Sequence, residues 1–250
     1  MTSVARPPDL EHADRDPACA LAWEAVGERG SRGSEGLDAT RRGVLVIFSD
    51  LDADLESPAF DFVGSTAGLG VPRLFVRDVE QCWYQRGLRG ISRDIPSTME
   101  ALTRVIDEFG GGRRVFVGSG AGGYAAILLG VLCGADEVVS FAPQATITRL
   151  GRWRARDRRW RRHIGKARRS ARHHGYLDLV QCLEGRVHRT AISVHFGEHD
   201  LSDSRYAQSM RDLPGTTVIA HAAGHDVASM LDSHGELSGL FEAALGRHGR

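Results

Sequence analysis

Three short segments of this chain carry, in order, the residue types that acyl chemistry uses: a nucleophile turn, an acid and a histidine. A hydrophobic run at 115–117 leads into Gly118-Ser-Gly-Ala-Gly-Gly123 and then into helix-forming residues 124–132. A strand that turns sharply into a helix through small residues lifts the apex side chain above a sheet, the layout of a G-x-S-x-G nucleophile elbow. Framed as Gly118-Ser119-Gly120-Ala121-Gly122, the turn carries Gly120 where serine is usual. Gly197-Glu-His-Asp200 follows an expected strand at 190–196, and His221-Ala-Ala-Gly-His225 follows another at 216–220. Asp200 would orient and charge-stabilise the imidazole of His225, which would serve as general base and acid. Asp203, three residues on, is the reserve acid. The plainer account is that Asp200 and His225 cap the helices that follow them.

The bare apex leaves three accounts open. Ser119 could act after a one-residue shift of the turn, although neighbours on a sharp turn point in different directions and a nucleophile needs hydrogen-bond reach of its base. Alternatively, the histidine–acid pair could work without a protein nucleophile. An oxyanion would then be held by backbone N–H groups of Ala121 and of the 49–51 loop around Asp50. Glycine adopts the strained positive φ of an elbow apex at little cost, so the frame would survive loss of the serine. In the third account the pocket is catalytically silent and binds a ligand or partner.

The elements that must position these residues read as α/β. A continuous apolar run at 43–49 suits a strand buried on both faces of a parallel sheet, and a second strand is expected at 71–76. Pro96 opens a segment whose Met99, Leu102, Val105, Ile106 and Phe109 recur at helical spacing, closed by Gly110–Gly112. Further strands are expected at 137–142, 190–196 and 216–220, with helices at about 122–132, 203–213 and 227–245. Strands alternating with helices predict a doubly wound, mostly parallel sheet, with ligand sites at the carboxyl ends of its strands. Residues 1–40 read as a loosely docked leader with one short helix near 19–26, and 41–250 as a single domain.

Composition bounds the partners. The chain has 250 residues, 42% hydrophobic and 26% charged, with 32 basic against 32 acidic side chains. Zero net charge gives no global field toward nucleic acid or membranes, so charge arguments are local. No segment approaches the roughly 20 apolar residues of a membrane span. Four scattered cysteines lack a C-x-x-C pair, which argues against structural zinc or a disulfide framework and for a reducing cytoplasm. The remaining histidines share no metal-ligand spacing; His199, beside Asp200, is a second-rank site candidate. Gly118-x-Gly120-x-Gly122 superficially resembles a dinucleotide loop, but no acid ends the next strand at ribose distance. Neither a cofactor nor a metal is expected.

Other candidates flank the site. Arg77 ends the second strand and could clamp a carboxylate or phosphate, or pair with Asp78 to fix the loop. Trp83 and Tyr84 could wall a pocket, and Gln144 could present its amide to the cleft. From Arg149 to Arg172 a dozen Arg or Lys face one Asp, with Trp153 and Trp160 among them. This stretch would supply arginines to a small-molecule or carrier-bound anionic substrate, or form a solvated helical face; a nucleic-acid role is the weakest reading.

The segments Gly118–Gly130 and Ala135–Ile147, with Phe75-Val-Arg-Asp78, Trp83-Tyr84, Tyr176-Leu-Asp178 and Gly224-His-Asp-Val227, resemble small bacterial α/β-hydrolase-like proteins whose elbow reads G-S-S-x-G-G-Y-A-A. The resemblance covers about residues 43–240. It implies an α/β-hydrolase fold with a cap at about 149–185, a Ser–His–Asp site with Asp200 and His225 in their usual roles, and a place in a biosynthetic pathway. The nucleophile is not carried over, because Gly120 stands in its place. Acyl hydrolysis or transfer is the expected activity, a non-catalytic ligand- or partner-binding relative the rival.

Overall fold

The computed structural model describes residue 8, residues 19–24, 43–51 and 60–246. Among these residues seven strands form one sheet: β1 (Leu21–Glu24), β2 (Gly43–Phe48), β3 (Arg73–Val76), β4 (Arg113–Ser119), β5 (Glu137–Phe141), β6 (Ala191–Gly197) and β7 (Thr216–His221). Their spatial order is β1-β3-β2-β4-β5-β6-β7. All neighbours are parallel except β1, which pairs antiparallel with β3 at one edge. The expected doubly wound, mostly parallel sheet is what forms. The chain leaves β2 toward β3 on one side and returns as β4 on the other. The crevice between the carboxyl ends of β2 and β4 is therefore a topological switch point, where open sheets bind ligands.

Helices cover both faces. In chain order they are α1 (Val63–Thr66), α2 (Ile95–Glu108), α3 (Gly120–Leu132), α4 (Arg149–Ala155), α5 (Arg161–Ser170), α6 (Leu179–Leu183), α7 (Leu201–Met210), α8 (Val227–Ser233) and α9 (Leu237–Ala244). Successive strand side chains point to opposite faces. Val44, Val46 and Phe48 therefore join one core with α2, α3 and α7, while Leu45 and Ile47 join the other with α8 and α9. α2 starts on a capping box in which the Asp94 carboxylate accepts from Ser97 N–H, followed by Pro96. α3 is buried on nearly every side, because the elbow drives it straight under the sheet.

Two expectations change. The short helix expected near 19–26 is a strand at Leu21–Glu24: Ala20, Leu21 and Ala22 are buried in the two cores, and pairing with β3 overrides a local run too short to propagate as a helix. The rest of the 1–40 leader, residue 8 aside, lies outside the described residues. The single helix expected at 227–245 is two, broken at Gly235, whose φ of 72° is left-handed. The cap is α4, α5, a 3₁₀ turn (His174–Tyr176) and α6, inserted between β5 and β6, with α4 resting on α7.

Candidate active site

Sheet topology brings the elbow, the acid and the histidine to one end of the molecule. β4 turns into α3 at Gly120, whose φ is +50°, a left-handed conformation that a side chain makes costly. Gly122 serves close packing: a Cβ there would lie 2.1 Å from Phe48 O. Backbone from β2 and from the turn can therefore come together because Gly122 is bare.

What fills the space over Gly120 is Asp50, two residues past the end of β2. A Cβ on Gly120 would sit 2.2 Å from Asp50 Oδ2 and 2.4 Å from Oδ1. Asp50 Oδ1 accepts hydrogen bonds from Ala121 N–H and Leu51 N–H, each at 2.8 Å. These two donors, one just past the elbow apex and one on the loop after β2, are the pair that would hold an oxyanion in acyl transfer. Asp50 therefore contributes its carboxylate here; its own N–H is engaged by Asp61 Oδ2 at 2.8 Å. Of the loop after β2, Leu51 rather than Asp50 supplies the N–H that joins Ala121 N–H here.

Burial pushes the Asp50 carboxyl up to about 6, with Asp61 repelling in the same direction. The Ala121 and Leu51 N–H groups and the charge on His225 oppose this. The group thus titrates close to neutrality, at the positive end of α3.

The histidine's carboxylate partner is the reserve acid. His225 Nδ1 lies 2.6 Å from Asp203 Oδ2, and Asp203 is fully buried in the first turn of α7. Asp200 instead caps α7, its Oδ1 accepting from Ser202 N–H and Asp203 N–H. The pairing of Asp200 with His225 is corrected accordingly: its carboxylate is spent on the helix terminus, and the side chain one turn further along faces the imidazole. The Asp203 bond raises the pKa of His225, with burial and Arg159 pulling it down. Donating Nδ1–H to Asp203 leaves Nε2 as the basic nitrogen.

Arg159 is the residue that sequence reasoning passed over. It sits on the cap segment joining α4 to α5, where Arg156 and Trp160 are left-handed. Along this segment burial alternates: Arg156 and Arg158 are exposed, while Asp157 and Arg159 turn inward. Arg159 donates to Asp203 Oδ1 at 2.8 Å and to Asp157 Oδ1 at 3.0 Å. Its Nη1 approaches His225 Nδ1 at 2.9 Å and Asp200 Oδ2 at 3.6 Å. Asp157 in turn accepts from Tyr206 Oη. The only available signal was that Asp157 is the single acid in a run of arginines. Asp200, Asp203 and His225 are grouped closely enough to hold a metal ion, yet the guanidinium of Arg159 already lies against all three.

Ser119 is extended, with φ −116°, and faces a cavity of about 700 Å³ that also holds Asp50. Among the described residues its hydroxyl makes no hydrogen bond, to His225 or to any other group. The same cavity is lined by Asp61, Asp226 and Asp232 and, on its apolar side, by Phe60, Phe62 and Leu237. Among the described residues no arginine or lysine lines it.

Four expected binding residues are elsewhere. Trp83 and Tyr84 are fully buried core residues: Tyr84 Oη donates to Ser49 O and Val76 O, and Trp83 Nε1 donates to Gln144 Oε1. Gln144 is itself buried, so its amide closes the core. Buried Asp78 holds the left-handed Trp83–Tyr84 turn by accepting from Cys82 N–H and Tyr84 N–H. Arg77 is half-buried beside the β1 edge, its N–H bonded to Ala20 O, and does not line the cavity. His199 points outward.

No family model and no curated protein matches this sequence. Solved structures do match it. The capsule O-acetyltransferase of Neisseria meningitidis serogroup A superposes with a TM-score of 0.60, at 12% identity, over 91% of this chain and 91% of its own. A fluorophosphonate-binding serine hydrolase of Staphylococcus aureus gives 0.57 at 11% identity over 88% and 91%. Thermogutta terrifontis esterase 2 gives 0.56 at 15% identity over 92% and 91%. At these identities the likeness is one of architecture: the chain has an α/β-hydrolase fold.

Proposed function

We propose that this protein uses a hydrolase-fold cavity to bind an acyl-bearing small molecule, neutral or cationic, without forming an acyl-enzyme. The observation that carries this reading is the Asp50 carboxylate, which takes both the nucleophile's space over Gly120 and the two oxyanion donors. Chemistry by the older route would need three things at once: a nucleophile, an open pair of donors and a neutral imidazole. The first is absent. The second calls for Asp50 to leave, which is easier below about pH 6, while the third calls for higher pH because Asp203 raises His225. The two protonation demands oppose each other. The carboxylates of Asp50, Asp61, Asp226 and Asp232 give the cavity a negative field, which favours a neutral or positively charged ligand.

A second reading is acyl hydrolysis or transfer in a biosynthetic pathway with no protein nucleophile. It is favoured by the intact His225–Asp203 contact, which leaves Nε2 free to activate water or an acceptor hydroxyl. A panel of esters and thioesters with wild type and His225→Ala separates the two. Silence from both proteins, with ligand-induced thermal stabilisation of both, supports binding. Turnover by wild type that His225→Ala abolishes would replace the binding reading with the catalytic one.

A further inference from the structure

The helical insertion between β5 and β6 holds a second cavity, of about 1,000 Å³, whose lining does not include His225. Eight arginines line it, from α4, the 156–160 segment, α5 and α7, together with Trp153 and Asp157. Arg149, Arg154, Arg156, Arg158 and Arg161 are exposed, and none has a carboxylate within 4 Å among the described residues. The one acid present, Asp157, is buried and already committed to Arg159 and Tyr206. In a chain whose total charge is zero, so many unneutralised guanidinium groups around one concavity is a local concentration of charge. It also carries strain: half-buried Arg168 has its pKa lowered by burial and by the repulsion of Arg149, Arg152 and Arg169. A bound anion would relieve that repulsion.

The chemistry of the lining narrows the ligand. Among the described residues every cation lining the cavity is arginine, whose planar fork matches tetrahedral oxoanions in a bidentate manner. Cations spread over three helices and a linker suit several anionic groups at once. Trp153 is 76% exposed at the rim, a flat apolar face that the fold leaves uncovered. The alternation along residues 156–159 explains how one segment serves two purposes. Its inward residues brace the His225 site while Arg156 and Arg158 line the second cavity. The carboxylate-lined cavity beside Gly120 repels anions, so the second cavity does not duplicate it.

We infer that this arginine-lined cavity is a binding site for a ligand carrying two or more phosphate or sulfate groups. The site stands independently of what the inner cavity binds. It is tested by isothermal titration of the full chain with inorganic tripolyphosphate and, separately, with a heparin-derived sulfated oligosaccharide. Saturable binding at 50 mM NaCl that weakens at least tenfold at 300 mM is expected for one or both, and the tighter of the two identifies the oxoanion source. Substituting Arg154→Ala, Arg158→Ala and Arg161→Ala together should weaken binding at least tenfold. These side chains make no hydrogen bonds to described residues, so the thermal midpoint should hold. Arg104→Ala, on α2 and outside the cavity lining, should bind as wild type does. Absence of saturable binding by either probe overturns the inference, as does equal binding by the triple variant. Binding restricted to a single-stranded oligonucleotide would also overturn it, in favour of nucleic acid.

Discussion

Restoring a serine at the elbow tests the central claim, that Asp50 occupies the nucleophile's place. In Gly120→Ser the new Cβ would lie 2.2 Å from Asp50 Oδ2, against an ordinary contact of about 3.5 Å. Asp50 must therefore move by about 1 Å or more and surrender its bonds to Ala121 and Leu51 N–H. Hydrogen bonds to a charged group contribute about 1.5–3 kcal/mol each. The left-handed φ of +50° adds about 1–2 kcal/mol for any residue with a Cβ. Rehydration of the displaced carboxylate offsets part of this, so Gly120→Ser should destabilise by roughly 3–5 kcal/mol in urea unfolding. In an Asp50→Ala background the overlap is gone and only the φ strain remains, so the same substitution should cost about 1–2 kcal/mol. The two mutations should thus couple by about 2 kcal/mol or more in a double-mutant cycle. Function follows the same logic. The Asp50→Ala/Gly120→Ser protein has a serine, two open donors and His225, and should be labelled by a fluorophosphonate probe, whereas wild type and each single variant should not. Equal costs in the two backgrounds, or a folded double variant that resists labelling, would refute the reasoning.

Stability should report the titration of Asp50 directly. Between pH 3.8 and about 6 the unfolded carboxyl is ionised while the folded one keeps its proton, so this group's contribution falls as pH rises through that window. The loss is on the order of 3 kcal/mol at neutral pH. Urea midpoints for Asp50→Asn should therefore gain on wild type from pH 4 to 7, and parallel curves would contradict the assignment. Asp203→Asn should lower the titration midpoint of His225 in proton NMR, because its hydrogen bond is the largest influence raising it; an unmoved midpoint would mean the contact is not made in solution. Gly197→Ala would place a Cβ 1.8 Å from Gly224 O, backbone against backbone, just where β6 packs on the loop carrying His225. A loss of about 2–4 kcal/mol is expected, and a neutral thermal shift would show that the loop can yield.

Much of the architecture was legible in the sequence because parallel strands buried on both faces read as near-continuous apolar runs, as residues 43–49 do. The tight strand-to-helix turn was legible because its glycines are a steric necessity: Gly122 lies against Phe48 O, and Gly120 has a left-handed φ. The edge strand Leu21–Glu24 was not, since a four-residue strand takes its identity from the partner it pairs with.

The chain by itself determined a mostly parallel sheet, with a glycine-rich strand-to-helix turn, an acid and a histidine following the carboxyl ends of three of its strands. Tertiary structure alone decided which acid. Asp200 and Asp203 are three residues apart, and only the start of α7 assigns one to the helix cap and the other to His225. Tertiary structure also placed Asp50 over Gly120 and Arg159 against His225, residues 70 and 66 positions apart in sequence. Contacts of that range leave no periodicity, because they are set by where strand ends and cap segments converge. For the same reason Trp83 and Tyr84, which read as pocket walls, proved to be core: a buried aspartate, Asp78, turns them inward.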